Sequence, residues 1–142
     1  MGRGVSSVSR SETLLAATTI GAAVANQLGS SFSIRGAKYI LLETQFLYGA
    51  GGTTTKVWLQ TRTKNGTWRD IANHAFTTSA ATKWSGVVQT TALAAAIAAS
   101  DAALADDTIL NGFLGDEIRI KYTTTGTYTG ATSITVYAMI RE

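Results

Sequence analysis

The pair Asn65-Gly66 stands between two stretches, 53–63 and 68–76, that alternate apolar and polar residues. Both residues tolerate positive φ, so the pair predicts a hairpin closed by a type I′ turn. It is the strongest local constraint in the chain, and the same punctuation recurs elsewhere. Gly36, Gly49-Ala50-Gly51-Gly52, Gly115 and the segment 126–130 bound other runs rich in β-branched and aromatic residues. Residues 37–48 are apolar on both faces and read as a central strand. In 117–125, Ile118, Ile120 and Tyr122 oppose Arg119 and Lys121. In 133–141, Ile134, Val136, Ala138 and Ile140 oppose Thr135, Tyr137, Met139 and Arg141. About eight short strands at this spacing predict an all-β fold, an antiparallel β-sandwich or a barrel.

Two segments depart from the pattern. Residues 1–12 are small, polar and basic, and read as an extended N-terminal arm ahead of a single domain over 13–142. Residues 91–105 are dense in alanine, a good helix former and a poor strand former, so they read as a short helical insertion or a long loop. The opening Met1-Gly2-Arg3-Gly4-Val5-Ser6 fits the loose myristoylation pattern, but a flexible basic arm explains it equally simply. No secretory signal is recognisable, which predicts assembly in a cytoplasm.

Composition removes several classes of function. With no cysteine there is no disulfide framework, zinc–thiolate site or thiol nucleophile. No apolar run is long enough to cross a bilayer as a helix. His74 is the one histidine, and at the end of a hairpin strand it reads as a polar surface residue rather than part of a triad. Asp101, Asp106 and Asp107 are close enough in sequence to supply oxygen ligands to calcium, yet no calcium-loop pattern surrounds them. No glycine cluster is followed by the lysine and helix of a phosphate cradle. The expectation is a protein with no enzymatic activity, cofactor or metal. Lys56, Arg62, Lys64 and Arg69 interleave with Trp58 and Trp68, the composition of a single-strand nucleic-acid platform. A net charge of +3 is mild for that role, so the expected partner is neither nucleic acid nor membrane.

An interface remains. Charged residues make up only 15% of the chain, and its aromatics cannot all lie on the core face of alternating strands. Aromatic residues and methionine are enriched in interface cores. Trp58, Trp84 and Tyr137 are therefore candidate interface anchors. Arg3, Val5, Val8 and Arg10 are candidates for an arm that crosses a subunit boundary. The competing reading is a sandwich whose outer face is covered by the chain's own loops or helices.

The segment Asn65-Gly66-Thr67-Trp68-Arg69-Asp70-Ile71-Ala72 resembles a hairpin of small virion proteins from tailed bacteriophages. Residues 115–127, with Arg119-Ile120-Lys121-Tyr122 and Thr125-Gly126-Thr127, resemble their late hairpin. Ala131-Thr132-Ser133-Ile134-Thr135-Val136 resembles their closing strand. The resemblance covers the C-terminal half best. It implies a jelly-roll-like sandwich acting as a capsid decoration (cement) protein, commonly a homotrimer, bound to the major capsid protein on the virion surface. The rival function is a receptor- or carbohydrate-binding module of a tail or fibre.

Overall fold

The computed structural model describes residues 9–89, 93 and 95–142. Two sheets carry the fold. The first holds β1 (Ser9–Thr19), β11 (Ser133–Arg141), β4 (Tyr39–Leu47) and β8 (Ala81–Val88), in that order. The second holds β2 (Val24–Leu28), β9 (Glu117–Thr125), β6 (Thr54–Arg62) and β7 (Arg69–Phe76), and short β3 (Phe32–Ser33) also pairs with β9. A small ribbon of β5 (Ala50–Gly51) and β10 (Tyr128–Thr129) closes one end. No described residue is helical.

The strand order has a simple origin. Of the eight longer strands, the first pairs with the last, and each next pair nests inside: β1 with β11, β2 with β9, β4 with β8, β6 with β7. Every one of these ladders is antiparallel. A long antiparallel ribbon rolled in this way places alternate pairs in opposite sheets, which is the double-sheet jelly roll. The all-β, antiparallel sandwich expected from the sequence is thus what forms, and β4 is central as expected.

Inward positions fill one continuous core between the sheets. Leu14, Ile40, Leu42, Phe46, Ile134, Val136 and Ile140 come from the first sheet, and Val57, Leu59, Ile71, Ile118 and Ile120 from the second. At the β5–β10 end, the Phe46 ring stacks on Phe76 at 5.0 Å, and Tyr128 meets Phe46 edge-on at 5.8 Å. Buried Tyr128 donates its hydroxyl hydrogen to the Thr77 carbonyl, 2.9 Å away. Gly52 makes room for this ring. It has φ +73°, and a Cβ there would lie 2.2 Å from the Tyr128 ring.

Two local expectations change, and for part of the alanine-rich stretch one of two alternatives is taken. The β6–β7 hairpin exists, but its turn runs from Thr63 to Gly66, closed by Gly66 N–H on Thr63 O at 2.7 Å. Asn65 alone takes positive φ, at 70°, so this is not the two-residue type I′ turn. β1 begins at Ser9, so residues 9–12 of the expected arm are strand paired to β11. In the alanine-rich stretch the described residues, 93 and 95–105, form a loop, while 90–92 and 94 lie outside the described residues.

Burial should separate two neighbours in β4. Phe46→Ala should cost about 3–5 kcal/mol in urea unfolding, because it removes the ring at the centre of the aromatic plug. Leu47→Ala, at an exposed outer position, should change stability by less than about 0.5 kcal/mol.

Candidate interaction surface

The outer face of the second sheet is covered by the chain itself over β6, β7 and part of β9, and stays open toward β2. Residues 100–110 lie across it and along the edge of β7. The anchor is Asp70, fully buried in β7. Its carboxylate accepts the N–H groups of Ala102, Ala103 and Leu104 at 2.9, 2.9 and 3.1 Å. It also accepts from Gln60 Nε2 at 2.8 Å and Ser100 Oγ at 3.0 Å. Consecutive backbone N–H groups converging on one carboxylate form an anion nest. Asn73 accepts from the Asp107 N–H at 3.0 Å and extends the same anchorage.

Three aspartates fasten the rest of this loop. Asp101 pairs with Lys121 at 2.7 Å, Asp106 with Lys56 at 3.1 Å, and Asp107 with Lys83 at 2.9 Å. Each reaches a different strand, so the trio does not converge as a calcium site would. Among the described residues no group of three or more carboxylates or histidines is placed to hold a metal ion. The Lys121 ammonium holds the Asp101 carboxyl below its ordinary pKa. Burial pushes Asp107 upward, but the Ala75 N–H and Lys83 outweigh it and leave the carboxyl below its ordinary value.

This loop covers Trp58. The indole is only 5% exposed, and its Nε1–H donates to Leu104 O at 3.0 Å. Trp58 is therefore withdrawn as an interface anchor, because its partner is the chain's own loop. Trp68 is half-buried in the β6–β7 loop, with the Arg62 and Arg119 guanidinium groups 4.6 and 4.3 Å from its ring centroid.

His74 also departs from expectation. It is buried between the sheets, not on the surface. Nδ1 lies 2.9 Å from Thr44 Oγ1 and Nε2 lies 2.6 Å from Ser85 Oγ. A neutral ring meets both hydroxyls, donating through one nitrogen and accepting through the other. Burial pulls its pKa down to about 4.

Among the described residues nothing lies over the outer face of the first sheet. Trp84 is 58% exposed and Tyr137 38% exposed. They share a cross-strand row, with Glu43 between them. Tyr39, Leu41, Met139 and Val88 extend the apolar surface on the same side. A shallow groove runs between Leu41, Glu43, Trp84, Tyr137 and Met139. Of the arm candidates, exposed Arg10 lies in β1, donates to Ser33 O and pairs with Glu12 at 3.6 Å. Arg3, Val5 and Val8 lie outside the described residues.

All four sheet edges are obstructed. β1 carries two register shifts, and β2 is five residues long with Asn26 at φ 55°. Backbone groups of β7 bond to Ser100 O, Thr108 O and the Leu110 N–H. β8 carries inward-pointing Lys83, and Val88 bonds to Asn111 and Gly112. Bulges, short strands, inward charges and covering loops are the usual protections against edge pairing.

A scan against protein-family models finds no match, and no curated protein matches the chain. Among solved structures, the fold is similar to that of SPBc2 prophage-derived protein YomS, seen in a crystal structure. The TM-score is 0.50 and the identity 11%, over all of both chains. At that identity the likeness is one of fold.

Two outcomes follow from this geometry. The unfolded chain binds a proton at His74 near the ordinary value of 6.5, whereas the folded chain resists until about 4. Stability contributed by the neutral ring is therefore full above pH 6.5 and lost as pH falls toward 4, to a total of about 3 kcal/mol. His74→Gln should flatten that loss between about pH 6.5 and 5, above the aspartate range, as read by urea midpoints against pH. Asp70→Ala should cost on the order of 3 kcal/mol. It should also deprotect the amides of Asn73 and Leu110 to hydrogen exchange, while the central strand β6 keeps its protection.

Proposed function

We propose that this chain is a structural, non-enzymatic component of a phage virion, a decoration protein seated on the outside of the head shell and bound to the major capsid protein. The observation that carries this reading is the polarity of the sandwich. The loops at the β5–β10 end (20–23, 48–53, 77–80 and 126–132) contain no charged residue. The opposite end is charged: exposed Arg35, Lys38, Lys64 and Arg141 stand there beside Asp116, Glu117 and Glu142, and these four cations have no carboxylate within ion-pair distance among the described residues. β1 starts at that end, with Ser9 beside Arg141, so the basic arm with Arg3 joins the fold there.

A shell-bound protein needs one adhesive end and one inert end, and this distribution provides both. The cations left without an ion pair offer short-range contacts to an acidic partner surface, and the arm adds contact area once ordered. Buried area then stabilises the junction between capsomers, by about 25 cal/mol per Å2 before ordering costs. The jelly-roll fold shared with a prophage-derived protein, and the resemblance of the two hairpins to small virion proteins, support the same reading. The titratable side chains support a structural role as well, since Asp70, Asp101, Asp106, Asp107 and His74 are all engaged in holding the fold.

One observation favours a second reading. Exposed Trp84 beside Glu43 is a pairing suited to stacking and hydrogen-bonding a sugar ring, as in a carbohydrate-binding tail module.

Immunogold labelling of virions from the encoding phage separates the two. Label over the whole head surface is expected, with at least about tenfold weaker shell binding after Arg35→Glu and Lys38→Glu or after deletion of residues 1–8, which spares β1. Label confined to the tail, or a saturable glycan interaction lost in Trp84→Ala, would contradict the decoration role.

A further inference from the structure

We infer that the outer face of the β1-β11-β4-β8 sheet is where two copies of this chain associate, face to face about a twofold axis. Four strands about 4.8 Å apart and nine residues long give a face of roughly 600 Å2 in projection. Side-chain relief raises the accessible area toward the ~800 Å2 per partner of a standard interface. The face is also compatible with itself in charge. Glu43 and Arg141 are the charged residues that the four strands place on it, so two copies meet with no net charge and few ions to desolvate. Trp84 and Tyr137 stand near its middle as anchors, with Leu41 and Met139 between and beside them.

The backbone keeps this surface level. A Cβ at Gly86 would lie 2.8 Å from Tyr39 Oη and 3.0 Å from its ring, so the glycine lets Tyr39 lie across β8. Arg141 sits over the same ring from β11, 5.9 Å from its centroid. Among the described residues two other routes to a second copy are obstructed. The edges resist strand addition, and much of the other sheet's outer face lies beneath residues 100–110. One continuous patch used by both subunits produces an isologous pair, whereas a trimer requires a second, different patch. The structure therefore favours a dimer over the trimer that the virion-protein resemblance implies. The interface stands whether or not the pair sits on a capsid.

Sedimentation equilibrium of the full chain across micromolar concentrations tests this. The expected species is a dimer. Trp84→Ala with Tyr137→Ala should raise its dissociation constant at least about 30-fold with an unchanged urea midpoint, because both side chains are exposed in the single chain. Leu28→Ala, an exposed position on the other sheet, should leave the mass unchanged. A monomer at every concentration, a dimer untouched by the double substitution, or a trimer would each overturn the proposal.

Discussion

The Asp70 carboxylate decides which surfaces this molecule shows to the outside. Three successive backbone N–H groups of the 100–110 loop end on it, and so do Gln60 and Ser100. An ionised acceptor makes such bonds roughly twice as strong as neutral ones, and desolvation makes each partner costly to leave unpaired. The loop held in this way closes the β7 edge, buries Trp58 and gives Lys56, Lys83 and Lys121 their acidic partners. Both sheets have one core face and one outer face. Among the described residues the second sheet is left open only toward β2, whereas nothing lies over the first sheet's outer face, and its aromatics stand exposed for that reason.

The strand framework was largely legible in the sequence, because a strand's side-chain period is local. The runs 117–125 and 133–141 coincide with β9 and β11, and their inward and outward residues fall where alternation puts them. What covers an outer face is not local. Trp58 lies opposite Val57 and Leu59 as alternation requires, yet its indole N–H donates to the carbonyl of Leu104, 46 residues away. The same limit applies to His74, whose partners Thr44 and Ser85 sit in the other sheet. Alanine density left helix and loop both open for this stretch, and the described residues take the loop. Its small side chains let the backbone lie close to β7 and Asp70, and the hydrogen bonds found there replace those of a helix. The acidic residues at 101, 106 and 107, spaced against lysines on alternating strands, were the available hint of a latch.

The jelly roll leaves a division of labour. One end is plugged by Phe46, Phe76 and Tyr128 beneath loops without charge. The other gathers charged residues of both signs and the start of β1. A flat aromatic face lies between them. Such a body has three chemically distinct surfaces: an uncharged end, a charged end and an apolar sheet face.

Among the described residues one outer sheet face is largely shut by the chain's own loop while the other is open. Hydroxyl-radical footprinting with residue-level mass spectrometry reads this directly in the dilute protein. Trp84 and Tyr137 should oxidise readily, and Trp58 should resist. Oxidation of Trp58 as fast as Trp84 would contradict the account, because it would mean that the loop does not cover the second sheet.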